Sequence, residues 1–496
     1  MPNPTLKALP PEKFDYWKAH HLLNRAGFGG TPVQIRSLAD MGLEKAVDLL
    51  VEYERLPSEP MEADAFSAAL IRPPTEEEKR AQQEAKKAGD EAALEKFQKM
   101  RNEAQQADRR QLADMKKWWL KRCIETGRPL EERMTLFWHG HFATGFRTIE
   151  DSWHMFMQNQ LFREQATGNF GTLAHRIIRD PAMLRYLDND KNRRQRPNEN
   201  LARELMELFV MGEGKGYSEQ DIKEGARALT GYTFMDDDFR MDKGSHDTGP
   251  KTILGKTGTW DGESFVDILL ATDFPSRFIA AKLYRYLVWD APGELSKDRR
   301  QFVEALARRF RDSRHELKPL LKSLLRSEHF YDDSNVASLI KSPVQLIVQA
   351  VRSLRTPVRE LSALASAADL MGQDLFQPPN VKGWDGGRAW INTSTLFVRQ
   401  NVLIYLLTGN RPALYGWDES SDHYDARHLV EHLGPQARDP SAVTDYLLRF
   451  CLGRPPAEAR RTTLLDFLRS RGDSVDNDRI LACLCLITAM PEYQLC

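Results

Sequence analysis

Residues 186–212 read YLDNDKNRRQRPNENLARELMELFVMG, a polar loop that runs straight into a largely apolar helix. Leu201, Leu205, Leu208 and Phe209 recur at the spacing of one helical face, and Gly212 supplies a stop. Ahead of the loop, Ala182, Met183, Leu184, Tyr186 and Leu187 predict another helix that ends at Asp188. Helix, loop, helix is the logic of the stretch, and the same periodicity dominates the rest of the chain. The fold class expected is mainly α: a multi-helix globular protein with one minor β-hairpin and a long charged helical arm.

Working outward, residues 75–121 are dense in Glu, Lys, Gln and Ala without proline, which predicts one or two long solvent-facing helices. Met115, Trp118, Trp119 and Leu120 would pack that arm down at one end. Between 232 and 260 short β-prone runs alternate with Gly, Asp and Pro, the pattern of a small hairpin. Residues 376–392 form a Trp-rich loop, and Asn392-Thr393-Ser394 mark the start of the next helix. The expected organisation is an N-terminal helical segment (1–74), the arm (75–121), a helical core (122–410) and a C-terminal helical segment (411–496).

Composition narrows the function classes. With 70 Lys and Arg against 71 Asp and Glu, the net charge is -1, so no long-range field favours nucleic acid or an anionic membrane. The five cysteines lack the paired spacing of zinc or disulfide frameworks, and Cys483 and Cys485 sit in an apolar run where free, buried thiols are expected. The first residues lack the apolar stretch of a secretory signal, and no run is long enough to span a bilayer. A soluble, cytoplasmic chain is the expectation. The Gly-rich residues 25–30 lack the Lys-Ser/Thr of a phosphate loop.

Several clusters could carry chemistry. Counting Asp188 as position one places Asp190 at three, Asn192 at five and Glu199 at twelve of a calcium-type loop, whose alternate short oxygens suit a hard cation. Arg193 stands where such loops need glycine, and Lys191, Arg193, Arg194 and Arg196 compete for the acids. The competing reading pairs the arginines with the carboxylates and lets Asn198 cap the helix. On that helix Asn200, Arg203, Glu204 and Glu207 share a polar stripe, and Glu204 with Glu207 form a candidate catalytic carboxylate pair.

Three further clusters lie outside that segment. His139 and His141 lie on a helical stretch that turns them apart, which makes His141 a core histidine with one hydrogen-bond partner more readily than a joint metal ligand. Ser245-His246-Asp247 and Lys251 fall in the hairpin region, where His246 could act as a general base and Lys251 could hold an anion, or all could be turn formers. In the Trp-rich loop, Asn380, Lys382, Trp384, Asp385, Trp390 and Asn392 mix aromatic planes with amides, a set that can bind a sugar through Trp384 and Trp390 or plug the loop onto the core.

The runs HLLNRAGFGGTP, ERMTLFWHGHFAT, DPAMLRYLDND, PNENLARELMELFVMGEGKGYSEQDIKEGARALTGYTF, HDTGPKTILG and LFQPPNVKGWDGGRAWINTSTLFVRQN resemble the bacterial family named domain of unknown function 1800. The resemblance runs from about residue 20 onward and implies no established reaction or catalytic residue. It does imply a partner, because members are often encoded beside a protein similar to the alkaline phosphatase and sulfatase superfamily that frequently bears an export signal. Export in complex with such a partner would reconcile the missing signal with an extracytoplasmic role.

The leading functional expectation is a divalent-cation-binding protein with hydrolase-like activity, its cofactor calcium or another divalent cation. The alternatives are a non-enzymatic assembly partner of a sulfatase- or phosphatase-like neighbour, and a carbohydrate-binding protein.

Overall fold

The computed structural model describes residues 6–58, 65–291, 293–470 and 475–496. Among the described residues the structure is 62% helical with two small two-stranded antiparallel sheets, so the fold is mainly α. The buried apolar cluster draws on the chain from Leu9 to Tyr493, so helices from both ends complete one another's hydrophobic faces.

The charged arm is a helical hairpin of Glu76–Ala88 and Glu91–Glu125. Thr75 and Glu78 form a capping box at its start, and Gly89, at φ 65°, makes the left-handed turn between the helices. The second helix has 35 residues and a length of about 52 Å at the usual rise. Its first turns are exposed, whereas Met115, Trp119, Leu120 and Cys123 are buried. Trp118 is half-buried, with its ring 5.6 Å from that of Phe156.

The arm's base meets the Pro129–His141 helix, most of whose side chains are buried, charged ones included. Glu132 is fully enclosed and accepts hydrogen bonds from Trp119 Nε1 (2.9 Å), Arg122 Nε (2.5 Å), Arg163 Nε (2.7 Å) and Arg163 Nη2 (3.1 Å). Burial pushes this carboxyl up, but the guanidiniums of Arg163 and Arg122 reverse the effect and hold it below the usual carboxylate range. The pairing ties the arm to the Pro129–His141 and Ser152–Glu164 helices.

Where one hairpin was expected, two form. Tyr232–Met235 pairs with Asp238–Met241, and Lys251–Ile253 pairs with Lys256–Gly258. The loop between them ends in Gly249-Pro250, and proline cannot donate to a ladder, so pairing stops and begins afresh at Lys251. The second turn has Leu254 and Gly255 both at positive φ, 48° and 75°.

The Pro343–Leu354 helix packs against Thr393–Thr408, which in turn packs against Asn477–Thr488. There Arg399 is fully enclosed, donating to Gln494 Oε1 (3.1 Å) and the Lys341 carbonyl (2.7 Å). All five cysteines are free, and Cys485 alone of them is half-buried. Among the described residues no helix is long and apolar enough to cross a membrane.

Candidate functional site

The helix of the opening stretch changes pitch in its middle. Asn200–Glu204 is α, whereas Leu205–Val210 is a π turn, a wider coil that single-turn bulges introduce into helices near functional sites. Met206 accepts from the Gly212 N–H at 3.1 Å, and Gly212, at φ 102°, ends the helix. Phe209 lies in that last turn, where carbonyls lack an intrahelical donor. His141 Nε2–H donates to the Phe209 carbonyl at 2.8 Å.

That bond fixes the tautomer. With its proton on Nε2, the ring presents the Nδ1 lone pair to Lys282 Nζ, which donates at 2.9 Å. His141 is 3% exposed, and burial followed by the Lys282 charge drives it well below the usual histidine range, so it is neutral. Lys282, on the Phe274–Leu287 helix, lies 4.9 Å over the Phe278 ring, and burial pushes it down to about 8.

His141 belongs to one face of its helix. Arg133, Leu136, Phe137, Gly140 and His141, at i, i+3, i+4, i+7 and i+8, all line one cavity of about 310 Å³. Lys282, Arg285, Tyr286 and Asp290 form a second wall, and Lys382, Trp384, Gly386 and Trp390 a third. Arg133 is only 3% exposed, and its guanidinium lies over the rings of Tyr286 (4.7 Å) and Phe28 (5.6 Å). Among the described residues it has no carboxylate partner, and its Nε has no hydrogen-bond partner.

The third wall is seated by glycine. A Cβ on Gly383, at φ 82°, would stand 1.9 Å from the Gly140 carbonyl oxygen, and a Cβ on Gly140 would stand 3.4 Å from the Trp384 ring. Only glycine at 383 lets the loop's backbone approach the helix this closely, whereas a Cβ at 140 would make ordinary contact with the Trp384 ring. Trp384 is half-buried with its Nε1–H unpaired, whereas Trp390 is buried, its carbonyl accepting from Thr395 Oγ1 at 2.9 Å. Burial raises the Asp290 carboxyl, which faces the backbone of Gly386 and Gly387.

Of the residues singled out in the sequence, His141, Lys382, Trp384, Asp385 and Trp390 meet in this cavity. His139 points elsewhere, its ring 5.5 Å from Trp119 and 5.4 Å from Trp384, with Nε2 unpaired and the ring driven down to about 3 by burial. Arg133, Lys282 and Asp290 were not anticipated. The i, i+3, i+4, i+7, i+8 recurrence from Arg133 to His141 was the available signal for Arg133.

The candidates of the 188–207 segment and of the hairpin loop lie outside the cavity lining. Asp188, at φ 54°, pairs with Lys191 at 2.6 Å. Asn192 is fully enclosed, its amide nitrogen donating to Asn189 Oδ1 and the Ala226 carbonyl at 3.0 Å each, its Oδ1 accepting from Asn198 N at 2.9 Å. Glu199 pairs with Arg203 at 2.9 Å, and Arg203 also reaches Glu207 at 3.3 Å and Glu219 at 2.8 Å. Burial, then the Glu207 charge, raises Glu204, while burial raises Asp190, whose Oδ1 has no partner. Asn198 Oδ1 accepts from Asn200 N at 2.9 Å just ahead of the helix, whose N-cap position is Glu199 and carries no side-chain cap.

In the hairpin loop His246 Nδ1 donates to the Thr230 carbonyl at 2.8 Å. Lys251, 1% exposed, donates to the Asp247 (2.5 Å) and Gly249 (3.1 Å) carbonyls, which cross-links the turn. Among the described residues no group of three or more His, Cys, Asp or Glu side chains is placed to hold a metal ion.

Comparison with curated proteins returns no match, and neither does comparison with solved structures. A family model does match, that described as protein of unknown function (DUF1800), over residues 21–495. The loop, the π turn, the paired glycines and the cavity walls all fall within the matched region, and the chain belongs to the DUF1800 family.

Proposed function

We propose that the chain binds a carbohydrate in the cavity walled by Trp384 and Trp390. The observation that carries this reading is the half-buried Trp384 side chain lining, with Trp390, a cavity of about 310 Å³. Sugar rings offer apolar C–H faces to an aromatic plane and hydroxyls to polar groups at the edge, and the volume lies within the range of small-ligand sites. Asp290 stands in the same lining as an acceptor for ligand hydroxyls.

Glycan-array binding tests the reading, with wild type set against Trp384→Ala. Trp384 is the informative position because Trp390 is buried and its loss would disturb packing. The expected result is a set of glycans retained by wild type and lost by a variant that melts close to wild type. An array on which wild type retains no glycan would overturn the proposal.

A second reading, of the 188–199 loop as a cation site, is favoured by the buried, unpaired Asp190 Oδ1. It predicts that calcium raises the melting temperature and that Glu199→Gln removes the rise; an unchanged melt on adding calcium would refute it.

A further inference from the structure

Buried cations in this fold are, as a rule, provided with acceptors. Arg122 and Arg163 share the Glu132 carboxylate. Arg25, fully enclosed, donates to the carbonyls of Leu287, Val288 and Asn335 and to Ser338 Oγ. Arg399 donates from its two terminal nitrogens to Gln494 and the Lys341 carbonyl.

Arg133 departs from this pattern. It is as deeply placed as Arg163, yet among the described residues its guanidinium meets only the ring faces of Tyr286 and Phe28. Ring faces return to a cation only part of what an enclosed guanidinium loses with its water. Lys282 lines the same cavity, and its hydrogen-bond partner is the neutral His141 ring. One of the three ammonium N–H groups is thereby committed, which leaves two. Arg285 and Lys382 add positive charge to the lining, against Asp290 and Asp385.

We propose that the cavity's ligand carries an oxyanion group, a sulfate, phosphate or carboxylate, seated between Arg133 and Lys282. This rests on the carbohydrate reading for the rest of the ligand and adds the group that completes the two cations. A guanidinium offers a planar fork to paired oxygens, and an ammonium offers a compact charge from a second direction. The His141 tautomer, set by the Phe209 carbonyl, keeps the Lys282 side chain aimed into the cavity wall as a donor.

Isothermal titration calorimetry at pH 7 decides the matter with glucose, glucose 6-sulfate, glucose 6-phosphate, glucuronate, inorganic sulfate and phenyl phosphate. The anionic sugars are expected to bind about tenfold or more tightly than glucose, and Lys282→Met and Arg133→Gln are expected to erase that difference. Lys282 is half-buried, so its variant carries the test if Arg133→Gln fails to fold.

The arms separate the two proposals. Equal binding of glucose and the anionic sugars would overturn the oxyanion seat and leave the carbohydrate reading standing. Binding of phenyl phosphate or sulfate, lost in Lys282→Met, with no sugar bound, would support the seat and remove the carbohydrate reading. Anionic sugars that bind Lys282→Met as they bind wild type would overturn the seat, as would the absence of any binding.

Discussion

Replacing Gly383 by alanine tests how the cavity's third wall is held. The new Cβ would stand 1.9 Å from the Gly140 carbonyl oxygen, and backbone lies on both sides, so no side chain can swing aside. Reaching a separation of 3.0 Å requires loop and helix to part by about 1.1 Å. Two costs add. A positive φ costs alanine about 1–2 kcal/mol, and forced separation of packed groups adds about 1–3 kcal/mol. Gly255 isolates the first, because it too has positive φ, 75°, but nothing within 4 Å of its Cβ position. Each kcal/mol lowers the melting temperature by about 2–4 °C in chains of 150–250 residues and by less in longer ones. Differential scanning calorimetry should therefore show Gly255→Ala melting slightly below wild type and Gly383→Ala lower again. Gly383→Ala should also lose ligand affinity, since Trp384 is the next residue. Equal melting of the two variants, with unchanged binding by Gly383→Ala, would refute the close approach as the seat of the wall.

Other predictions address the core and the charges. Glu132→Gln leaves Arg163 enclosed without a counter-charge and Arg122 with only the longer Glu131 contact at 3.5 Å, and should cost about 3–5 kcal/mol in urea unfolding; a loss under about 1 kcal/mol would contradict the pairing. Burial raises Asp180 to about 6, above the ordinary 3.8, so this carboxyl stabilises the fold when protonated and lowers stability as pH rises from about 4 to 6. The displacement corresponds to about 3 kcal/mol at most, and Asp180→Asn, which keeps the cap to Met183 N, should flatten that part of the pH profile; an unchanged slope would contradict it. Lys282 is pushed down to about 8, so anion affinity should fall as pH rises through 8, by up to about tenfold per unit, while His141 stays neutral throughout. In Lys282→Met the affinity should be flat over the same range, and a matching fall there would assign the effect to another group.

Much of the fold is local enough to be read in one dimension. The arm's composition, the Thr75 capping box and Gly89 mark its boundaries, and Met115, Trp119 and Leu120 mark the end that packs. The π turn is not legible, because Leu205, Leu208 and Phe209 suit a wider coil as well as an ordinary helix. The second hairpin was hidden for a similar reason: Pro250 marks a break without saying that pairing resumes after it.

The site was half legible. Trp384 and Trp390 stand out by type in a Gly-rich loop, and His141 by its helical position. Arg133 sits in LEERMT, where adjacent charges look like a solvated face. Adjacent Glu132 points to another side of the helix, where Arg122 and Arg163 claim it, and which groups Arg133 meets is a fact of tertiary packing. Lys282 meets His141 across 141 residues of chain, beyond any local pattern. The spacing of Asp188, Asp190, Asn192 and Glu199 suggested cation ligands, yet the Asn192 amide is spent on Asn189, Ala226 and Asn198. An amide tying a loop together and one awaiting a ligand have the same spacing in sequence.

The most direct test of the cavity as a ligand site is a crystal structure of the chain soaked with glucose 6-sulfate. The account predicts a sugar ring against Trp384, with the sulfate oxygens within hydrogen-bonding distance of Arg133 and Lys282. A ligand bound elsewhere, or a cavity holding only water at saturating ligand, would contradict it.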